Sequence, residues 1–332
     1  MPAAGDAHPA LAANAEHQLM ARIRLPLDAV VGPTGTGKSD AGIAIAKHIE
    51  SLGGSAEIIN SDSMQFYRGM DIGTAKLAPE DRGGVEHHLL DWLEITDEST
   101  AAEYQPVARG KILELQAAGK TPILVGGSML YIAAVLNEFG FAARDENVRA
   151  ELEAELERIG ESELYRKLMS LAPDTASRID PKNGRRIVRA LEVVTITGED
   201  FAAKLPDLNE SWQPVLEIGL NSDRAHLVNR LHLRAAKMWD NGILEEAKSL
   251  IPQGIREGKT SSHAIGYAQA LAQLDSVLTE PEAIEETSRL TARYARRQMS
   301  WFRRDPRINW FDYQDENLMP SITRAVTDYL NE

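Results

Sequence analysis

Gly32-Pro33-Thr34-Gly35-Thr36-Gly37-Lys38-Ser39 spells G-x-x-x-x-G-K-S, a spacing suited to holding phosphate. Its glycines let the chain curl until successive backbone N–H groups point at one anion, and the dipole of a following helix adds partial positive charge. Gly32, Thr34, Gly35, Thr36 and Gly37 would form the cradle, Lys38 would neutralise phosphate oxygens, and the Ser39 hydroxyl would hold Mg²⁺. The apolar run Leu27, Ala29, Val30, Val31 precedes the motif and the amphipathic stretch Ala41 to His48 follows it. A strand therefore feeds a glycine loop that feeds a helix, and a di- or triphosphate is the expected ligand.

A second reactive candidate is Asp62, one step past the apolar run that ends in Ile58-Ile59-Asn60-Ser61. A carboxylate at a strand end facing the glycine loop can accept a proton or bind metal. Asp62 with Gln65 three residues on equally fits a helix capping box, and spacing alone does not separate the two. His87 and His88 are adjacent, so they diverge on any regular element and cannot make the i, i+4 pair of a helical metal site; a structural role on a loop is expected. Arg224 follows an apolar run and either reaches a diphosphate or starts a helix in solvent. Arg296 to Arg304, with Trp301 between the charges, suits RNA backbone contact and stacking, or a solvated helix face with Trp301 in the core.

The elements that must position these residues follow from periodicity. Glu57 to Ile59 and Pro122 to Val125 read as buried parallel strands, and Glu103 to Ala118 as a helix stopped by Gly119. Strands alternating with helices after a P-loop imply an α/β, P-loop NTPase-like, doubly wound parallel sheet with its crevice outside the strand carboxyl ends. The P-loop, Asn60 to Gln65 and Gly126-Gly127-Ser128 should converge there. From about Asp145 to Gly198 the pattern is helix after helix (Val148 to Ile159, Glu161 to Leu171, Arg185 to Ile196), a helical insertion domain. Val215 to Leu220 returns as a strand, and Arg224 onward is helical with breaks at Gly242, Pro252 to Gly258 and Pro281. The expected organisation is a mobile N-terminal extension (1–24), a first part of the core (25–140), the insertion (141–205), core completion with basic C-terminal helices (206–315), and a C-terminal tail helix (316–332).

A chain of 332 residues that is 43% hydrophobic suffices for two domains or one with an insertion. It contains no cysteine, which excludes disulfides, a thiol nucleophile and a cysteine zinc site. No apolar run approaches the ~18 residues of a membrane span, and the first two dozen residues lack the apolar stretch of a secretory signal. The default expectation is a cytoplasmic, monomeric enzyme. A net charge of −14 argues against indiscriminate nucleic-acid binding, yet arginine is concentrated at Arg185-Arg186-Ile187-Val188-Arg189 and from Arg293 to Arg307. A phosphate-bearing partner would be met on those local basic faces.

Taken together, Gly-Pro-Thr-x-x-Gly-Lys-Ser, the segment Asn60 to Lys76, His87-His88-Leu89-Leu90-Asp91, Val125-Gly126-Gly127-Ser128-x-Leu130-Tyr131 and Arg185 to Val193 resemble the bacterial tRNA dimethylallyltransferase family. Ala264-Ile265-Gly266-Tyr267 and Ala295-Arg296-Arg297-Gln298-x-x-Trp301-Phe302-Arg303 continue the likeness, which spans about residues 27 to 312 in order. The resemblance implies transfer of the dimethylallyl group of dimethylallyl diphosphate to N6 of adenosine 37, beside the anticodon of tRNAs reading codons that begin with U. It implies that the P-loop, Thr34 to Ser39, holds the donor diphosphate and not ATP, with Lys38 and Thr34 taking part in catalysis and Asp62 as the general base. Asp62, Ser63, Met64 and Gln65 match the segment that meets the adenosine, while Ser128, Arg149, Arg185, Arg186, Ile187, Val188 and Arg189 match positions that touch the tRNA anticodon stem-loop. Ser128 stands where many members carry Thr, which keeps the hydroxyl, and no Cys/His zinc module follows the core. A P-loop kinase of a small metabolite or nucleoside would instead turn over ATP. An enzyme prenylating free adenine nucleotide would need neither basic cluster, and a non-catalytic RNA-binding protein would need neither Lys38 nor Asp62.

Overall fold

The computed structural model describes residues 26–138, 140–142, 144–200 and 211–331, so the expected N-terminal extension and the end of the expected insertion lie outside the described residues. The chain divides into two compact units, one running to Asn137 and resuming at Ser211, the other Glu138–Glu210.

The first unit is built on a six-stranded sheet: β1 (Leu27–Val31), β2 (Ala56–Asn60), β3 (His87–His88), β4 (Thr121–Val125), β5 (Val215–Asn221) and β6 (Asn309–Asp312), in the order β3-β2-β4-β1-β5-β6. Every pairing is parallel. Before the second unit come α1 (Lys38–Ser51), α2 (Ala101–Ala117) and α3 (Met129–Leu136); after α4 to α6 of that unit come α7 (Arg224–Asp240), α8 (Ile243–Leu250), α9 (Tyr267–Leu274), α10 (Glu280–Phe302) and α11 (Leu318–Leu330). Both β1 and β4 are buried at every position, which is why they read as near-continuous apolar runs. Ile45 and Ile49 of α1 with Ile322 and Val326 of α11 pack on Val30, Ile58, Ile123 and Ile218 to make one core. Tyr104 and Ile112 of α2, Trp239 of α7 and Phe302 of α10 belong to a second, with Ala29, Val31, Ile59 and Leu124. Period-2 alternation puts these two strand sets on opposite faces of the sheet. Asp28 is the exception within β1: it is fully buried, neither carboxylate oxygen has a hydrogen-bond partner, and burial pushes its pKa up to about 7.

Three local expectations are corrected. His87 and His88 lie on an edge strand and not on a loop, where His87 Nδ1 bonds Val85 O (2.8 Å) and His88 Nε2 bonds the Glu57 carboxylate (2.6 Å). No helix starts at Asp62: its Oδ1 accepts from Met64 N (3.1 Å) in a turn, and the Gln65 side chain turns to Thr74 O and Ala75 O instead of back to Asp62 N. A true capping box sits at Thr100 and Glu103, at the start of α2. Strand β6 was not expected, because four residues leave too short a pattern to read.

The second unit is helical: α4 (Glu146–Leu171), α5 (Pro173–Ala176) and α6 (Gly184–Thr197). Gly160, at φ 79°, breaks α4 at the boundary expected between its two halves. Asp145 caps α4 by accepting from Asn147 N and Val148 N, and Asn183 caps α6 by accepting from Arg186 N. Leu152, Leu164, Leu168, Ile187, Val188 and Leu191 form its core. Among the described residues no helix is long and apolar enough to cross a membrane.

Candidate active site

A cavity of about 200 Å³ opens at the carboxyl ends of β1, β2 and β4, where a doubly wound sheet places its ligands. Its wall includes Thr34, Gly35, Gly37, Lys38, Ser39, Asn60, Asp62, Gln65, Gly126, Arg230 and Arg234. The P-loop, the segment after β2 and the segment after β4 therefore meet, as their spacing predicts.

The P-loop is shaped by contacts on both sides. Gly32 has φ 136°, and a Cβ there would fall 2.4 Å from Leu220 O, so no other residue fits between β1 and β5. Thr36 Oγ1 and Lys38 Nζ both donate to Pro33 O, at 2.9 and 2.8 Å. Thr34 N donates to Gln298 Oε1 (2.8 Å), while Gln298 Nε2 donates to Gly127 O (2.8 Å). Gln298, almost fully buried on α10, thus ties the loop after β1 to the loop after β4.

Cations crowd this loop. Arg234 Nη1 donates to Thr34 Oγ1 (3.2 Å), and its Nε is buried with no hydrogen-bond partner. One turn earlier on α7, Arg230 bonds the Tyr313 hydroxyl and lies 4.6 Å from that ring's centroid. Desolvation in the cleft lowers the Lys38 pKa to about 8; Asp62 opposes the shift and Arg234 adds to it. Burial, resisted by Asp62, also lowers the Arg234 pKa. A site with three cations, an orphaned guanidinium N–H and a partly desolvated ammonium is prepared for a polyanion.

Asp62 faces these cations from the end of β2. Its N–H donates to Asn60 Oδ1 (3.0 Å), Asn60 Nδ2 donates to Asp62 O and Leu89 O, and Ser63 N donates to Ser128 Oγ (2.9 Å). This frame fixes the turn and leaves the carboxylate on the cavity wall. Tyr294 lies close enough to feel the Asp62 charge, and burial pushes its pKa up to about 12.

Several expected site residues stand elsewhere. Arg224 is exposed at the start of α7 and is absent from the cavity wall; Arg230 and Arg234 of the same helix take that place. Ser128 is buried against Ser63, where it supports the Asp62 turn. In the second unit, Ile187 and Val188 are core residues, so their side chains do not form an RNA-facing surface. Arg189 bonds Glu192 Oε2 (2.7 Å) and Ala142 O (2.8 Å), and Arg149 bonds Glu153 Oε1 (2.9 Å) with Glu192 3.9 Å away. Both serve the fully buried Glu192, while Arg185 and Arg186 are exposed. Trp301 is half-buried against the core with Arg304 5.3 Å from its ring centroid, and Arg293, Arg296, Arg297, Arg303 and Arg304 are exposed.

The IPP transferase family model matches residues 65–305. The chain is 53% identical over 301 residues to the tRNA dimethylallyltransferase of Thermobifida fusca, covering 91% of this chain and 94% of that protein. It is 51% identical over 302 residues to the tRNA dimethylallyltransferase of Streptomyces coelicolor, covering 90% and 95%. Among solved structures, the full-length tRNA isopentenylpyrophosphate transferase of Bacillus halodurans superposes with a TM-score of 0.68 at 37% identity, over 93% of this chain and 97% of that one. A eukaryotic dimethylallyltransferase caught acting on tRNA gives 0.74 at 25% identity, over 92% and 79%. With its sheet order, its P-loop and matches of this extent, the chain belongs to the IPP transferase family.

Proposed function

We propose that this enzyme transfers the dimethylallyl group from dimethylallyl diphosphate to N6 of adenosine 37 in tRNAs that read codons beginning with U, giving N6-isopentenyladenosine and diphosphate. The observation that carries the reading is Asp62 standing opposite Lys38 and Arg234 across one cavity. Carbon–oxygen cleavage leaves a diphosphate whose growing charge the P-loop N–H groups, Lys38, Arg230 and Arg234 meet most strongly in the transition state. As the N6–carbon bond forms, the Asp62 carboxylate takes the amine proton. A carboxylate base serves the hydroxyl acceptor of a kinase as well as the amine of an N-alkylation, and it is the match to the IPP transferase family that favours the second.

Ser39 would hold Mg²⁺. That ion binds through few protein groups and keeps waters and substrate phosphates as its other ligands, which suits a lone hydroxyl on the cavity wall. Among the described residues no cluster of His, Asp and Glu forms a metal cage. Bound there, the ion would neutralise diphosphate charge. The target base is buried in stacked RNA, so the nucleotide must leave the stack to enter. Exposed Arg185 and Arg186 on the second unit, and the arginines of α10, support RNA phosphate contact. A cytoplasmic site of action follows from the tRNA substrate.

Asp62→Asn tests the base directly. The amide can preserve the turn by accepting from Met64 N but cannot take a proton at neutral pH. Single-turnover transfer should fall roughly 10²- to 10⁴-fold, with thermal unfolding and diphosphate affinity near wild type. A near-wild-type rate would remove Asp62 from the chemistry.

A further inference from the structure

Gln65 reaches the cavity wall with its amide already committed. Nε2 donates to Thr74 O (3.2 Å) and Ala75 O (3.4 Å), which spends both amide hydrogens and leaves Oε1 as an acceptor. The orientation of this reading group is therefore set by two carbonyls of the loop 71–76. That loop is not held by regular structure. Ala75 sits at φ 51°, a conformation that costs an alanine free energy unless its surroundings enforce it.

The enforcement comes from outside the cavity. Asp71 N and Ile72 N both donate to the Glu246 carboxylate (3.3 and 3.0 Å), and Gly73 N donates to the Tyr267 hydroxyl (3.2 Å), which itself donates to Glu246. Three successive N–H groups thus close on one carboxylate–phenol pair, an anion nest filled from within the protein. The Tyr267 ring is fully buried, and a Cβ on Gly73 would lie 2.3 Å from its Cε2, so backbone and ring are in contact. At the far end of the loop the buried Lys76 ammonium joins Asp71 (2.7 Å), Asp91 (2.5 Å) and Tyr67 O (2.9 Å).

We infer that Glu246 and Tyr267 are positioning residues for base recognition: through the backbone of residues 71–75 they lock the Gln65 amide so that only its oxygen faces the nucleoside. A group locked this way accepts from an exocyclic amine and offers no donor to a base carrying oxygen at that place, so the pair contributes to the choice of adenine. Neither residue lines the cavity, and neither belongs to the P-loop. The inference rests on the proposal that adenosine enters this cavity.

A double-mutant cycle on transfer to unmodified tRNA tests it. Tyr267→Phe keeps the ring and removes the hydroxyl; kcat/KM for tRNA should fall about tenfold while the affinity for inorganic diphosphate stays unchanged. In a Gln65→Ala background the same change should cost almost nothing, because the group it positions is gone. If the two losses multiply instead, Tyr267 acts by general stability and the inference is overturned. Glu246→Gln takes the place of Tyr267→Phe in the cycle if the phenylalanine variant does not fold. Absence of transfer by the wild-type enzyme would overturn the underlying reading, a result separate from multiplying losses.

Discussion

Lys38 carries its charge in a cleft that gives it little water, and its pKa of about 8 is the cost of that preparation. Bound diphosphate favours the ammonium, so the pKa rises on binding and affinity is greatest below about 8. Above that value the lysine must first regain a proton, and affinity should fall by up to about tenfold per pH unit. Calorimetric titration of inorganic diphosphate across the range, compared with Lys38→Ala, cancels the ligand's own titration. A ratio of the two affinities that does not change with pH would show that Lys38 stays charged without its ligand. Lys38 was legible from its place in the P-loop, whereas the spacing of Asp62 fitted a helix cap as well as a base and its expected role came from the family resemblance. Arg230 and Arg234 were not legible: on an isolated helix they read as a solvated face, and only the packing of α7 beside the P-loop turns them inward. Gln298 was hidden for the same reason, since its two partners lie 264 and 171 residues away in the chain.

The helices of the second unit were legible from periodicity, and Gly160 breaks α4 where the pattern breaks. The roles of their arginines were not, because a run of Arg-Arg-Ile-Val-Arg winds its residues around a helix and sends them to different surroundings. Ile187 and Val188 turn inward, Arg189 turns to Glu192, and Arg185 and Arg186 turn to solvent. Two different outcomes are expected from one short segment. Arg185→Ala with Arg186→Ala should raise the KM for tRNA and shallow its salt dependence by a slope of roughly one to two, with stability unchanged. Arg189→Ala should instead cost about 2 kcal/mol of stability by leaving the buried Glu192 carboxylate with only the Asp145 N–H and the more distant Arg149, which thermal unfolding would register. If Arg189→Ala unfolds like wild type and weakens tRNA binding, its place is on the RNA surface. Strands β3 and β6 escaped the sequence reading for want of length, and β3 also for its polar side chains, which suit an edge but carry no apolar pattern.

The whole molecule is acidic, with a net charge of −14, yet its proposed partner is a polyanion. Charge placement reconciles the two: Arg293, Arg296 and Arg297 are exposed at i, i+3, i+4 on α10, Arg303 and Arg304 follow them, and three cations line the cavity of the same unit. Acidic surface elsewhere disfavours indiscriminate nucleic-acid binding and leaves recognition to these patches. The α/β class and the cleft at the strand ends were legible from the P-loop and the alternation of strands with helices, whereas the nature of the phosphate ligand was not. A glycine loop cradles any diphosphate, and a carboxylate across the cavity serves a hydroxyl acceptor as readily as an amine, so prenyl and phosphoryl transfer are separated by which atom is attacked, carbon or phosphorus. The most direct test therefore follows the carbon and the phosphate together: wild-type enzyme is incubated with labelled dimethylallyl diphosphate, unmodified tRNA and ATP, and the RNA is digested to nucleosides. Prenyl transfer gives label in a single N6-substituted adenosine, diphosphate released in equal amount, and ATP unchanged; ATP consumption with unlabelled RNA would overturn the assignment.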